Sequence, residues 1–278
     1  MSATPPPAAP PLTLPAAALR VFDLSLAQML WSRRTVFMAL VVGGPVFIAA
    51  MVRLLTALGA PLEGGATGPG AFAAILWLLY VRFTVPVLAV FYGTSLIADE
   101  LEDKTITYLF TRPIRRGAVL AGKYLAYLTC TALVVLPSLV LVYFLIVPIK
   151  GGSLGAGFPN LLKDLGIILL GLAVYGALFA LVGAWFRRPV LIGLVFLFGW
   201  EQAALLFPGY LKKFTVAHYL QALVPHAMPQ DGLTSLLQNV FRDAPGIGTS
   251  LVVLALMAAA SLLLAARAVE RREYVLEQ

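Results

Sequence analysis

The chain has 278 residues, of which 60% are hydrophobic and 12% charged, with a mean hydropathy of +0.92. A soluble globular domain carries about 45–50% apolar and about 25% charged residues. There is too little polar surface here to cover a water-soluble globule, and too much apolar content for disorder over most of the chain, which leaves an all-α or barrel-type integral membrane protein. The 20 Lys and Arg against 13 Asp and Glu give a net charge of +7; their distribution points to the cytoplasmic ends of spans rather than to a nucleic-acid partner.

Residues 1–15 hold Pro5, Pro6, Pro7, Pro10, Pro11 and Pro15 with no charge and are expected to be a disordered tail. They lack the basic start and apolar core of a signal peptide. Over 16–34, Leu19, Phe22, Leu26, Met29 and Leu30 recur at three- and four-residue spacing among Arg20, Asp23, Gln28 and Arg33. That stripe predicts an amphipathic helix lying in the membrane interface. The alternative is a cytosolic extension of the first span.

Six apolar stretches follow, at 36–58, 76–98, 124–147, 161–184, 190–207 and 247–266. Each is close to the ~20 residues a bilayer core requires. They are continuously apolar rather than alternating, so they are helices and not barrel strands. The expected plan is an all-α protein with a six-helix transmembrane domain over 35–267 and a cytoplasmic tail over 268–278. With the N-terminus inside, 13 basic residues fall on the cytoplasmic side, among them Arg33, Arg34, Arg187, Arg188, Arg267, Arg271 and Arg272; six fall outside, and Arg82 lies within a span. This bias puts both termini in the cytoplasm. The connection 208–246 is then external, and Pro208, Pro225, Pro229 and Pro245 divide it into short helices. Part of it, around Phe214 to Leu223, is expected to dip into the outer leaflet.

The cytoplasmic connection between the second and third stretches carries the most information. Four acids, Asp99, Glu100, Glu102 and Asp103, close the second stretch. An amphipathic segment with Ile106, Leu109 and Phe110 follows. Pro113 breaks it, and Arg115 and Arg116 open a second short helix leading into the third span through Gly122 and Lys123. The segment is a charged, folded platform; the plainer alternative is an ordinary polar loop with interfacial anchors.

These residues resemble the cytoplasmic loop of ABC-2 type transporter permeases. Glu100 or Glu102 matches that family's acid, Thr105 its threonine, Pro113 its proline, Arg116 its arginine, and Gly122-Lys123 its Gly-Lys pair. Lys104 stands where the family usually has glycine before the threonine, which puts the local turn in doubt. The six spans, the surface helix and the long fifth-to-sixth connection extend the likeness over nearly the whole chain. The resemblance implies the permease subunit of an ATP-driven exporter, in the cytoplasmic (inner) membrane of a prokaryote. It implies a second permease copy, most simply a homodimer, and a dimer of separate ABC ATPase subunits. The loop would hold a coupling helix, with Glu100, Glu102, Thr105, Arg112, Pro113, Arg115 and Arg116 as the residues meeting the ATPase. ATP and Mg²⁺ would be bound by the ATPase, and the chain itself would not be an enzyme.

Several near-motifs are set aside on physical grounds. Gly117, Gly122 and Lys123 almost spell a phosphate-binding loop, but Tyr124 replaces the required Ser or Thr and no strand precedes it. His218, His226 and Cys130 are too few and too scattered for a metal site; both histidines are expected in the external connection. No catalytic cluster and no cofactor site is found. A secondary transporter or a membrane scaffold without an ATPase remains as the alternative.

Two charges stand inside apolar stretches. Counting at ~1.5 Å per residue puts Arg82 roughly 25 Å from Asp99 and Glu201 roughly 18 Å beyond Pro189. Arg82 is then either an anchor snorkelling to the outer interface or a partner for Glu201. Glu201 needs a partner, a proton or a wet cavity, because an unpaired carboxylate in hydrocarbon costs several kcal/mol. The two are expected to meet; the rival expectation is that Glu201 faces the translocation path. Small residues, Gly171, Gly176, Ala180, Gly183 and Ala184 on the fourth stretch and Ala39 and Gly43 on the first, predict close helix packing.

Overall fold

The computed structural model describes residues 21–26, 29, 33–59, 67–97, 116–206, 210–225 and 245–271. Among the described residues every regular element is helical. The chain runs through α1 (Arg33–Ala57), α2 (Gly68–Ile97), α3 (Arg116–Ile146) and α4 (Leu154–Trp185). Then come α5 (189–206), a 3₁₀ turn over Tyr210–Phe214, the short α6 (Val216–Gln221) and α7 (Ile247–Arg271). The expected tail 1–15, residues 272–278 of the expected tail 268–278 and most of the interfacial stretch lie outside the described residues; 21–26 are helical, and 268–271 are the last residues of α7.

Five of these helices are long and apolar enough to cross a membrane: Thr35–Ala57, Gly68–Ile97, Val119–Ile146, Leu154–Trp185 and Ile247–Val269. The fifth expected stretch is a shorter apolar helix, Pro189–Ala204. The protein is an all-α integral membrane protein, and α5 buries one stripe, Pro189, Gly193, Leu197, Glu201 and Ala204, while Leu191, Val195, Phe198 and Trp200 are exposed. Gly193 of α5 sits against Val90 of α2 and Phe179 of α4, where an added Cβ would meet them at 2.9 and 3.3 Å.

The second span begins eight residues earlier than hydropathy alone predicts. Thr67 caps it, accepting from the Gly70 N–H at 3.4 Å, and Pro69 occupies the first turn. Proline there loses no hydrogen bond, because the first N–H groups of a helix have no partner inside it. Gly68 lets this start touch the end of α3: a Cβ on it would lie 2.3 Å from the Val147 carbonyl oxygen. α2 therefore has 30 residues, and Arg82 stands at its middle rather than near its outer end.

α4 is the hub. It packs on α2, α3, α5, α6 and α7, while α1 packs chiefly on α3. α2 and α4 bury most of their length; α7 and α1 bury the least. All five small residues noted on the fourth stretch are points of close contact or burial against neighbours. A Cβ on Gly176 would lie 2.2 Å from the Tyr127 ring, and one on Gly183 would lie 2.3 Å from the Thr94 carbonyl oxygen; Ala180 and Ala184 are fully buried. Gly43 has open space beside it, so the first span's glycine serves no contact within the chain. Tyrosines tie the spans together. Tyr124 and Tyr127 of α3 donate to the Ala173 and Leu172 carbonyls of α4 at 2.7 and 3.0 Å, and Tyr80 of α2 shares a hydrogen bond with Ser138 of α3 at 2.9 Å. Each spares a phenol from lying unsatisfied in an apolar interior.

Candidate functional site

The charged platform expected between the second and third spans falls outside the described residues. This covers Glu100, Glu102, Thr105, Arg112, Pro113 and Arg115; of Arg116 only the backbone, the first residue of α3, is described. Its two roots are well defined. α2 ends with the Thr94 carbonyl pressed on Gly183 of α4. Lys123 of α3 donates from Nζ to the Leu96 carbonyl at 3.2 Å, placing a cation on one of the last carbonyls of α2, where helix geometry leaves them without partners. The Gly122-Lys123 pair thus closes the base of the loop. Residues 117–124 belong to α3, which is continuous from Arg116 rather than a separate short helix followed by a span.

The second site is a buried polar cluster around the two intramembrane charges. Glu201 is 2% exposed. The Tyr175 hydroxyl on α4 lies 2.7 Å from both of its carboxylate oxygens and donates to them. The backbone N–H groups of Val216 and Ala217, the first two residues of α6, also hydrogen-bond to Glu201. Arg82 donates to the Gln202 side-chain oxygen at 3.0 Å and stands 5.9 Å from the centre of the Trp77 ring, within cation–π range.

The expected contact between Arg82 and Glu201 is not made directly. Successive helical residues point about 100° apart, so Glu201 faces α4 and α6 while its neighbour Gln202 faces α2. Arg82 and Glu201 attract one another across the cluster without touching. Arg82 is half-buried at mid-helix and held by Gln202, which is a different setting from an interfacial anchor.

Helix widening shapes both charged positions. Leu76–Thr84 and Ala89–Gly93 in α2, and Phe196–Trp200 in α5, are π-helical. Pro86 follows Arg82 by four residues and cannot donate to its carbonyl, while the Val85 N–H reaches back five residues to Tyr80. In α5 the Glu201 N–H reaches back five residues to Phe196. Such bulges change which face a side chain presents and recur at functional sites.

Tyr175 and α6 were not singled out from sequence as partners of the charges. Gln202, with Trp200, stood out in the sequence as polar capacity beside Glu201, and the structure gives it to Arg82. Tyr175 could not have been found, because nothing in its apolar surroundings sets it apart. α6 does correspond to the expected dip around Phe214 to Leu223: all six of its residues are buried, between α2, α4 and α7. His218 lies within it, buried and edge-on to Tyr219, rather than in an open external connection. His226 lies outside the described residues. A family model described as ABC-2 family transporter protein matches residues 17–274. No curated protein matches the chain.

Proposed function

The chain belongs to the ABC-2 transporter family, as a membrane permease component of an ABC transporter, and on that premise we propose that it is the permease of an ATP-driven exporter. In this reading two copies form a homodimer in a prokaryotic cytoplasmic membrane, with both termini inside, and a pair of separate ATPase subunits docks beneath them. ATP and Mg²⁺ are held by the ATPases. Glu100, Glu102, Thr105, Arg112, Pro113, Arg115 and Arg116 form the coupling surface, and closure of the ATPases moves the loop they occupy. Arg82 and Glu201 lie along the route by which that movement reaches the spans.

The observation that carries the reading is the family match over 17–274, nearly the whole chain. The pinned base of the 98–115 loop supports it. A loop whose roots are fixed by Lys123 on Leu96 and by Thr94 on Gly183 passes displacement to the helices instead of absorbing it. Mixed acids and arginines on such a loop favour register and partner choice over raw affinity.

The test is co-purification from membranes with an ABC ATPase encoded beside the gene. The expected result is a complex whose ATP hydrolysis depends on the permease. Glu100→Lys, Glu102→Lys and Arg116→Glu together should release the ATPase while the chain still inserts and melts normally. Unchanged association and unchanged hydrolysis in that triple variant would remove the coupling surface from these residues. Failure of any ATPase to associate with the unaltered chain would overturn the exporter reading itself.

A further inference from the structure

We propose that Glu201 is a positioning residue: its carboxylate holds the re-entrant helix α6 in the bundle and makes the placement of α6 depend on how α2, α4 and α5 sit together. α6 has six residues, too few for a helix to be stable alone. Its N-cap residue, Thr215, makes no side-chain capping bond, so the first N–H groups of α6 need an acceptor from elsewhere. Water does not serve, because Val216 to Gln221 are all buried. The acceptor for Val216 is Glu201, from a different helix, and Ala217 is shared between Glu201 and Tyr175.

The other side of the same carboxylate is fixed by Tyr175 on α4, and the next residue, Gln202, receives Arg82 from α2. Two consecutive positions on α5 therefore join three other helices. The seat of α6 is shaped to match. Gly171, one turn before Tyr175 on α4, leaves room that Leu220 of α6 and Val85 of α2 fill; a Cβ there would meet them at 3.2 and 3.3 Å. The π turn Phe196–Trp200 ends at Glu201. A slide of α5 on α4 by the ~1–2 Å typical of helix shifts breaks the Tyr175 bonds and withdraws the cap together. α6 then loses its acceptor and leaves its seat. Assigning α6 to the external side rests on the exporter reading; its dependence on Glu201 does not.

The experiment places a reporter in α6. Leu220→Cys, in a Cys130→Ala background of the full chain in detergent, is buried when α6 is seated. Reaction with a membrane-impermeant maleimide should be slow in this background and roughly tenfold faster when Glu201→Gln is added, since a neutral amide replaces a charge-assisted acceptor. Tyr175→Phe, which removes one donor and leaves the carboxylate, should give an intermediate rate. Glu201→Asp should fall back towards the unaltered rate. Val135→Cys, fully buried in α3, should stay unreactive in every variant. Equal rates at position 220 with Glu and Gln at 201 overturn the proposal. So does a parallel rise at position 135, which would mean general loosening. In the ATPase complex, Glu201→Gln should lower cargo moved per ATP while hydrolysis continues. The labelling result stands or falls without that complex, so it is separable from the exporter reading.

Discussion

Gly183 offers a sharp test of the packing that joins the loop to the spans. An alanine there would place its Cβ 2.3 Å from the Thr94 carbonyl oxygen, 3.0 Å from its carbon and 3.1 Å from its Cα. All three atoms are backbone, so no side chain can swing aside. Non-bonded heavy atoms settle near about 3.5–4.0 Å, so α2 and α4 must part by roughly 1 Å at this point. Overpacking of this kind costs about 1–3 kcal/mol. Gly166 lies on the same helix with nothing within 4 Å of its added Cβ. Both changes share the gain of about 1 kcal/mol that alanine has over glycine in a helix, so comparing them isolates the clash. Gly183→Ala should melt below Gly166→Ala by roughly 2–12 °C, using about 2–4 °C per kcal/mol for a chain of this size. Thermal unfolding of the two variants in one detergent, followed by tryptophan fluorescence, measures the difference. A Gly183→Ala protein as stable as Gly166→Ala would show that α2 and α4 do not meet backbone to backbone here, and the rigid loop base would fall with that contact.

Lys123→Ala should lower stability by about 1 kcal/mol, the typical net worth of one hydrogen bond, and should reduce ATPase coupling by more than its stability loss explains. Lys123→Arg, which keeps a long cationic donor, should recover most of the coupling; equal behaviour of the two variants would leave the Leu96 carbonyl contact without a role. For topology, Gly155→Cys, at an exposed position with open space beside it, should label from outside intact cells, and Arg188→Cys should not. Labelling at 188 alone would invert the orientation drawn from the basic residues.

The all-helical membrane plan was legible because span-length apolar runs admit few other solutions. What escaped was local. The start of α2 at Gly68 was missed because Gly-Pro-Gly resembles a turn by composition, whereas the neighbouring Thr67 cap makes the same residues a helix entry. A start at residue 76 leaves Arg82 near one end of the span, whereas the start at Gly68 puts it at mid-helix. Glu201 was recognisable as a charge in need of partners, but a count of helical rise gives depth and not direction. Depth correctly brought Arg82 and Glu201 into one neighbourhood. The π turns then decided which faces they presented, and no 3.6-residue period reports a π turn. The partners that satisfy Glu201, a tyrosine on α4 and the end of a helix fifteen residues further on, are tertiary facts.

The two sites share α2 and α4, and that shared pair gives the proposed coupling a physical path. At the loop end, Thr94 bears on Gly183 and Lys123 holds Leu96. Further along, Gly93 lies against the Phe179 side chain and the Gly176 backbone, with 3.1 and 3.2 Å to an added Cβ. Beyond these, Tyr175 meets Glu201 and Arg82 meets Gln202. From Thr94 back to Arg82 is about 18 Å at the α-helical rise. Glycines at the Thr94 and Gly93 contacts remove the side-chain cushion that would let the two helices slide independently, so α2 and α4 are built to move as a pair. The π turns in α2, at Leu76–Thr84 and Ala89–Gly93, interrupt the regular hydrogen-bond ladder at Arg82 and just before Thr94, and such bulges recur at functional sites. In the proposed coupling, a push at the loop base would reach Arg82 and Tyr175, and the hydrogen-bonded cluster would convert it into a choice between α6 seated and α6 released. Coupling needs such an element with two arrangements; on the proposal above, the carboxylate of Glu201 is the group on which both would turn.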